Sequence, residues 1–314
     1  MHEILSQVIQ AGFFAALLRI ATPLIFATLG ELLAERSGVL NLGIEGIMLL
    51  SAMTGFTAAY YSGDLWIGIA AAAATGAVMG ILMGLLTVTL GLSQHVSGLG
   101  VTMLCSGFAF YFYRLIFGEP SQPPNVVPFQ PVPIPVLSAI PWIGPVLFNQ
   151  FALSYIAILL VIAATFVLNR TPWGLNLRTV GENPRAADAA GVNVALMRYQ
   201  ALILSGILMG IGGAYLSIAQ YNAFTFGVIS GRGWVAIALV VFGQWRPCQS
   251  ALGALLFAFI DALQLRLQAS GIIAIPYQAF LMMPFVLTIV AMAAVSRNAR
   301  APAALLIPFR KEER

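Results

Sequence analysis

The sequence predicts an all-α polytopic membrane protein of about nine (eight to ten) transmembrane helices with one short helix on the cytoplasmic side. Three observations carry that expectation. Only 8% of the 314 residues are charged and 60% are hydrophobic, whereas soluble domains carry about 25% charged residues. Mean hydropathy is +0.92. Apolar runs long enough for about 30 Å of hydrocarbon, which takes about 20 helical residues, recur from one end to the other.

The expected spans are 11–33, 39–61, 65–90, 97–117, 151–169, 199–219, 232–244, 250–268 and 276–296. The leading MHEILSQ carries no Lys or Arg, and the run behind it exceeds a cleavable h-region. The first span therefore reads as a retained helix. Together the spans make a single transmembrane domain over 1–314, with a cytoplasmic segment at 170–198 and a Pro-rich outer loop at 118–150.

Orientation follows from the basic residues, because short cytoplasmic loops retain Lys and Arg. Segment 170–198 holds Arg170, Arg178, Arg185 and Arg198, and the tail holds Arg297, Arg300, Arg310, Lys311 and Arg314. Both are placed inside, with the C-terminus, and Arg36 and Arg246 fall on the same side. Arg114, Arg232 and Arg266 are expected near the outer surface, and Arg19 within the first span. The outer loop Gly118–Gln150 carries Glu119 as its single charge and many prolines. Proline fixes φ and removes a donor, so an extended cap is expected there rather than another full helix.

Gly76, Gly80 and Gly84 recur every fourth residue in the third span, and Gly206 and Gly210 repeat the device in the sixth. Such stripes let backbones approach and are assigned to packing. Pro23 and Pro284 interrupt apolar spans, which membrane helices tolerate. Cys105 and Cys248 are expected to pack rather than pair.

The stretch ERSGVLNLGIEGIML, Glu35 to Leu49, sets Asn41 and Glu45 in an apolar run. Four apart, they share a face if the segment is helical. A carboxylate at depth is costly without a partner or water, so Glu45 is expected to face the interior. Gly38, Gly43 and Gly46 weaken helical continuity and leave room for a broken helix. Two readings stay open: Glu45 locks the bundle, by pairing with Arg19 or accepting hydrogen bonds from helix ends, or it lines the route of a polar solute. Asp261 poses the same choice, with Arg266 five positions on and off the ideal helical spacing.

The most legible segment is TPWGLNLRTVGENPRAADAAGVNV, Thr171 to Val194. Asn183 is a good N-cap, Pro184 suits the first helical position, and Gly191 supplies a stop. A short rigid helix is expected there, with Glu182, Arg185 and Asp188 on its surface, stiff enough to transmit a push from another protein. The one lysine, Lys311, lies in the terminal FRKEER, so the chain holds no P-loop, and an ATP-driven function needs a separate ATPase. No His/Cys/carboxylate cluster suggests a metal, and no nucleophile–base pattern suggests an enzyme.

AERSGVLNLGIEGIML, VGENPRAADAAGVNV, GRGWVAIALVVFGQWRP and DALQLRLQ followed by IPYQ, in that order, resemble the permease subunits of bacterial ABC importers served by basic-membrane-protein lipoproteins. These are nucleoside-type importers within the simple-sugar/branched-chain permease group. The likeness runs from about Ala21 to Val295. It implies a second permease, longer or identical; a cytoplasmic ATPase that holds ATP and Mg; an extracytoplasmic solute-binding lipoprotein; and a site in the inner membrane. It implies no cofactor in this chain and no nucleic-acid partner. It also places Glu182, Asn183, Pro184, Arg185, Asp188 and Gly191 where this group carries its coupling helix, and makes Asn41, Glu45 and Asp261 candidates for the interior path. Nucleosides are the implied cargo, with a simple sugar or a heterocycle such as riboflavin as the alternative. An ion-coupled secondary transporter using Glu45 and Asp261, and a non-transporting scaffold, are the rivals from other classes.

Overall fold

The computed structural model describes residues 11–119, 122–135, 137–141, 143–270 and 300–309, with 282, 286, 289, 290 and 293. Helix α1 (Ala11–Arg36) has Pro23 inside it, and every residue from Ile20 to Glu35 is buried. A helix buried all round is a central post. It ends where Gly38 takes φ +89°, with Val39 N–H donating to the Ala34 carbonyl, a Schellman-type stop.

Around the post stand α2 (Ile44–Ser62), α3 (Leu65–Gly84) and α4 (Gln94–Phe117), then α6 (Ala152–Arg170), α9 (Val194–Ala214), α10 (Arg232–Phe242) and α11 (Pro247–Ser270). Helices α3 and α9 each run on into a π turn, Leu85–Thr89 and Tyr215–Gln220. Among the described residues, six helices are long and apolar enough to cross a membrane: Ala11–Arg36, Leu65–Thr89, Gln94–Phe117, Ala152–Arg170, Val194–Gln220 and Pro247–Gln268.

The other three expected spans differ. Helix α2 has the length, at 19 residues, but Ser, Thr, Tyr and Glu45 dilute its apolar character. Helix α10 has only 11 residues and starts inside the bundle. The run 276–296, with Pro284, lies almost wholly outside the described residues.

The tightest packing is the crossing of α3 and α9. A Cβ on Gly76 would lie 2.0 Å from the Gly206 carbonyl oxygen, and one on Gly206 equally close to that of Gly76. The two backbones touch because neither residue has a side chain. At the periphery, α4 and α6 expose rows of apolar side chains such as Met103, Leu159, Ile162 and Phe166.

The Pro-rich loop holds no long helix among its described residues. It carries β1 (Val132–Pro133), α5 (Ile143–Leu147) and β2 (Asn149–Gln150), the two strands pairing antiparallel. At the opposite end of the bundle, α7 (Pro172–Glu182) and α8 (Pro184–Ala189) join α6 to α9.

Candidate functional site

The residues singled out in the sequence form two places, an interior junction and an end-on helical segment. At the junction, α10 begins after Gly231, which takes φ +80°. The first amides of a helix have no intrahelical acceptor. Here Glu45 supplies it: Gly231 N–H donates to Oε1 at 2.8 Å and Gly233 N–H to Oε2 at 2.9 Å. Glu45 itself lies in the first turn of α2, so one carboxylate offsets the positive ends of two helix dipoles. Gly233 must be glycine for this approach, since a Cβ there would lie 2.7 Å from Glu45 Oε2.

Asp261 reaches the same turn from α11. Its Oδ2 pairs with Arg232 Nη2 at 3.6 Å, and both side chains are largely buried, 17% and 14% exposed. Arg232, expected near the outer surface, is half-buried, and its guanidinium also donates to the Ile229 carbonyl at 3.2 Å and to Tyr221 Oη at 3.3 Å. Arg19, the sequence-based candidate partner for Glu45, instead donates to Gln150 Oε1 at 3.2 Å and lies over the Phe151 ring. Arg266 lies over the Phe13 ring, 5.3 Å from its centroid.

Asn41 is buried but does not share a helical face with Glu45, because α2 starts only at Ile44. The break is local: Gly38 is left-handed and Asn41 Oδ1 accepts from Gly43 N–H at 3.1 Å, an Asx-type turn. The Asn41 backbone N–H in turn donates to Glu31 Oε1 at 2.9 Å.

That last contact leads to a pair the sequence reading left out. Glu31 and Glu35, one turn apart on the central post, are 0% and 1% exposed. Trp245 Nε1 donates to Glu35 Oε2 at 2.5 Å. The i, i+4 carboxylates in GELLAER were a usable signal, since two acids on one face of an apolar helix need an interior partner.

The end-on segment is built from caps. Thr171 Oγ1 accepts from Gly174 N–H at the head of α7, Asn183 Oδ1 from Ala186 N–H at the head of α8, and Asn193 Oδ1 from Leu196 N–H at the head of α9. Pro172 and Pro184 occupy first-turn positions, and Gly191 takes φ +86° beyond α8. Glu182, Asn183, Arg185 and Gly191 are exposed, Pro184 and Asp188 half-buried, and Ala187 buried. Helix α7 starts at Thr171-Pro172, a cap followed by proline like Asn183-Pro184 at α8, and the sequence reading passed over it.

The tail ties this segment down. Ala304 N–H donates to the Gly181 carbonyl at 2.9 Å, and Ala303 N–H to Glu182 Oε2 at 3.3 Å. Arg198, 1% exposed, donates to the Ser37 carbonyl at 3.2 Å and the Ile307 carbonyl at 3.4 Å. The segment, the tail, the end of the central post and the start of α9 thus meet at one end of the bundle.

The comparisons with known proteins bear on this arrangement directly. Residues 13–292 match the family described as the permease component of the branched-chain amino acid transport system. The chain belongs to this permease family. The permease is 35% identical to the guanosine ABC transporter permease protein NupQ of Bacillus subtilis, over 94% of this chain and 95% of that one. It is 36% identical to the nucleoside ABC transporter permease protein NupC of Lactococcus lactis, over 92% and 94%. It is 39% identical to a putative glucose ABC transporter permease protein of Haloferax volcanii, over 82% and 78%. A second guanosine permease protein of Bacillus subtilis, NupP, is 26% identical over 77% of this chain but only 69% of its own length. No solved structure matches the permease.

Proposed function

We propose that this chain is one permease half of an ATP-driven importer that moves nucleosides across the bacterial inner membrane by alternating access. The observation that carries the reading is near-end-to-end similarity to guanosine and nucleoside ABC permeases. The partner reading follows from the same relatives. One Bacillus subtilis guanosine permease matches this chain over 95% of its length and the other over 69%. This chain takes the place of the shorter, beside a longer second permease.

ATP and Mg belong to a separate cytoplasmic ATPase, and first capture of solute to an extracytoplasmic lipoprotein. The capped helix α8, with Glu182, Asn183, Pro184, Arg185, Asp188 and Gly191, docks the ATPase on the cytoplasmic side, where the tail also lies. Closure of the ATPase moves α7 and α8, and through the tail and Arg198 that movement reaches the central post. Asn41, Glu45 and Asp261 shape the interior: the two carboxylates hold the helix ends and Asn41 the turn before α2, beside the route between the two permeases.

A second reading has its own support. The 39% identity to a putative glucose permease supports a simple sugar as the alternative cargo. Proteoliposomes carrying both permeases, the ATPase and the lipoprotein are expected to take up labelled guanosine, adenosine or uridine only with ATP on the ATPase side. Excess unlabelled nucleoside should compete and glucose should not. Uptake by this chain alone, driven by an ion gradient without nucleotide, would overturn the importer reading; competition by glucose alone would replace the cargo.

A further inference from the structure

Between the ends of α6, α7 and the central post lies a cavity of about 530 Å³. Three guanidinium side chains line it, Arg36, Arg178 and Arg246, and no carboxylate does. The charges act on one another: Arg178 and Arg246 both repel Arg36, while Glu182 is the acid that attracts it. Glu182 also accepts from the tail through Ala303 N–H, and Glu35 accepts from Trp245 Nε1. Three guanidiniums against the one carboxylate of Glu182 leave an excess of positive charge round the hollow, which a bound anion would offset.

The donors are also underused. Arg36 spends Nε and Nη2 on the Trp245 carbonyl, at 2.9 and 2.8 Å. Arg178 spends only Nε, on the Gly174 carbonyl at 3.4 Å. Arg246 is exposed, and its hydrogen bonds among the described residues are made by its backbone, to Gly243 and Ser250, not by its guanidinium. The 24-residue α11 starts at the same cavity, with Cys248 and Gln249 in its wall. Its first amides add the positive end of a helix dipole to the three arginines.

The flank of the cavity identifies the anion. Helices α6 and α11 meet there, with Thr165 Oγ1 and Cys248 Sγ 3.2 Å apart. From that contact the exposed apolar side chains Phe166, Ile162 and Leu159 run away along one face of α6, and Leu252 and Leu256 along α11. The spacings of three and four residues keep each row on one helical face. A basic hollow beside exposed apolar stripes on two hydrophobic helices matches both halves of an anionic amphiphile.

We propose that the cavity between Arg36, Arg178 and Arg246 binds the phosphate headgroup of an anionic phospholipid of the cytoplasmic leaflet. Its acyl chains lie along Leu159, Ile162 and Phe166 of α6 and Leu252 and Leu256 of α11. The site is independent of which solute the permease carries. It makes the end of the central post, which also meets α7 and the tail, sensitive to lipid composition.

Native mass spectrometry of the assembled importer in neutral detergent tests the site with phosphatidylglycerol and phosphatidylcholine as probes. Phosphatidylglycerol is expected to bind more tightly. The double variant Arg178→Ala/Arg246→Ala should weaken it about 30-fold, at roughly one tenfold step or slightly less per basic residue, and leave phosphatidylcholine unchanged. Arg178→Lys/Arg246→Lys keeps the charges and should retain most of the preference, which separates lost binding from misfolding. Cys248, exposed in the wall, gives a second readout: phosphatidylglycerol should slow its alkylation by a water-soluble maleimide, while buried Cys105 stays unreactive. Equal phosphatidylglycerol binding by parent and double variant overturns the proposal. So does displacement of the lipid by excess inorganic phosphate, which marks a free-phosphate site, and so does protection of Cys248 by the ATPase in the absence of lipid, which marks a protein contact.

Discussion

At Glu45 a carboxylate is closed on both oxygens by backbone donors of α10, whereas around Glu182 to Gly191 the polar side chains face outward and Ala187 is the residue buried beneath them. The first place joins helix ends inside the bundle, so a change there is felt as lost stability. The second is a capped segment fastened at few points, so a change there can alter motion and leave the bundle standing. The contrast fits the proposal that the interior carboxylates hold the bundle and the end-on segment moves.

The interior side of the contrast breaks most visibly at the helix crossing. Gly206→Val places a branched side chain where even a Cβ would lie 2.0 Å from the Gly76 carbonyl. Overpacking costs about 1–3 kcal/mol and sometimes more, and a backbone-to-backbone contact has no side chain to yield. We expect this variant to yield almost no monodisperse protein by fluorescence-detected gel filtration, while Gly227→Ala, in an open loop, behaves as the parent.

Next in size is Glu45→Ala, which leaves the Gly231 and Gly233 amides without an acceptor. At about 1–3 kcal/mol for an orphaned buried group, the loss is expected near 3 kcal/mol, read as a lower melting temperature in detergent. Glu45→Gln keeps an acceptor oxygen and should lose less. If Glu45→Ala melts as the parent but no longer transports, the carboxylate belongs to the solute path and the contrast fails.

The smallest expected effect is Asn183→Ala at the other place. Loss of the cap to Ala186 N–H costs about 1 kcal/mol of local helix stability. It should lower solute-stimulated ATP hydrolysis severalfold with no change in melting, and Asn183→Asp should restore it. A fall in melting as large as that of Glu45→Ala would erase the difference between the regions.

What was legible in the sequence follows from the range of the forces involved. The caps at Asn183 and Pro184, the stop at Gly191 and the glycine stripes are local signals, and the elements stand where those signals put them. The partners of Glu45 lie 186 and 188 residues away, and Trp245 lies 210 residues from Glu35. No periodicity encodes such distances. Hydropathy also counts apolar residues rather than depth, so α10, an 11-residue helix starting at an interior carboxylate, read as a full span. The α7 start at Thr171–Pro172 was encoded locally and overlooked beside its stronger neighbour. The tail contacts to Gly181, Glu182 and Arg198 had no local sign at all.

The central claim is that a rigid α8 carries motion between an external ATPase and the bundle. Its most direct test is Ala187→Pro. Ala187 N–H donates to the Asn183 carbonyl at 3.0 Å as the first bond of α8, and proline there removes the donor and costs about 3 kcal/mol locally. In the reconstituted importer, ATP hydrolysis should no longer respond to solute-loaded lipoprotein, while membrane insertion and assembly match the parent. A full response from the proline variant, with both permeases and the ATPase assembled, would contradict the account.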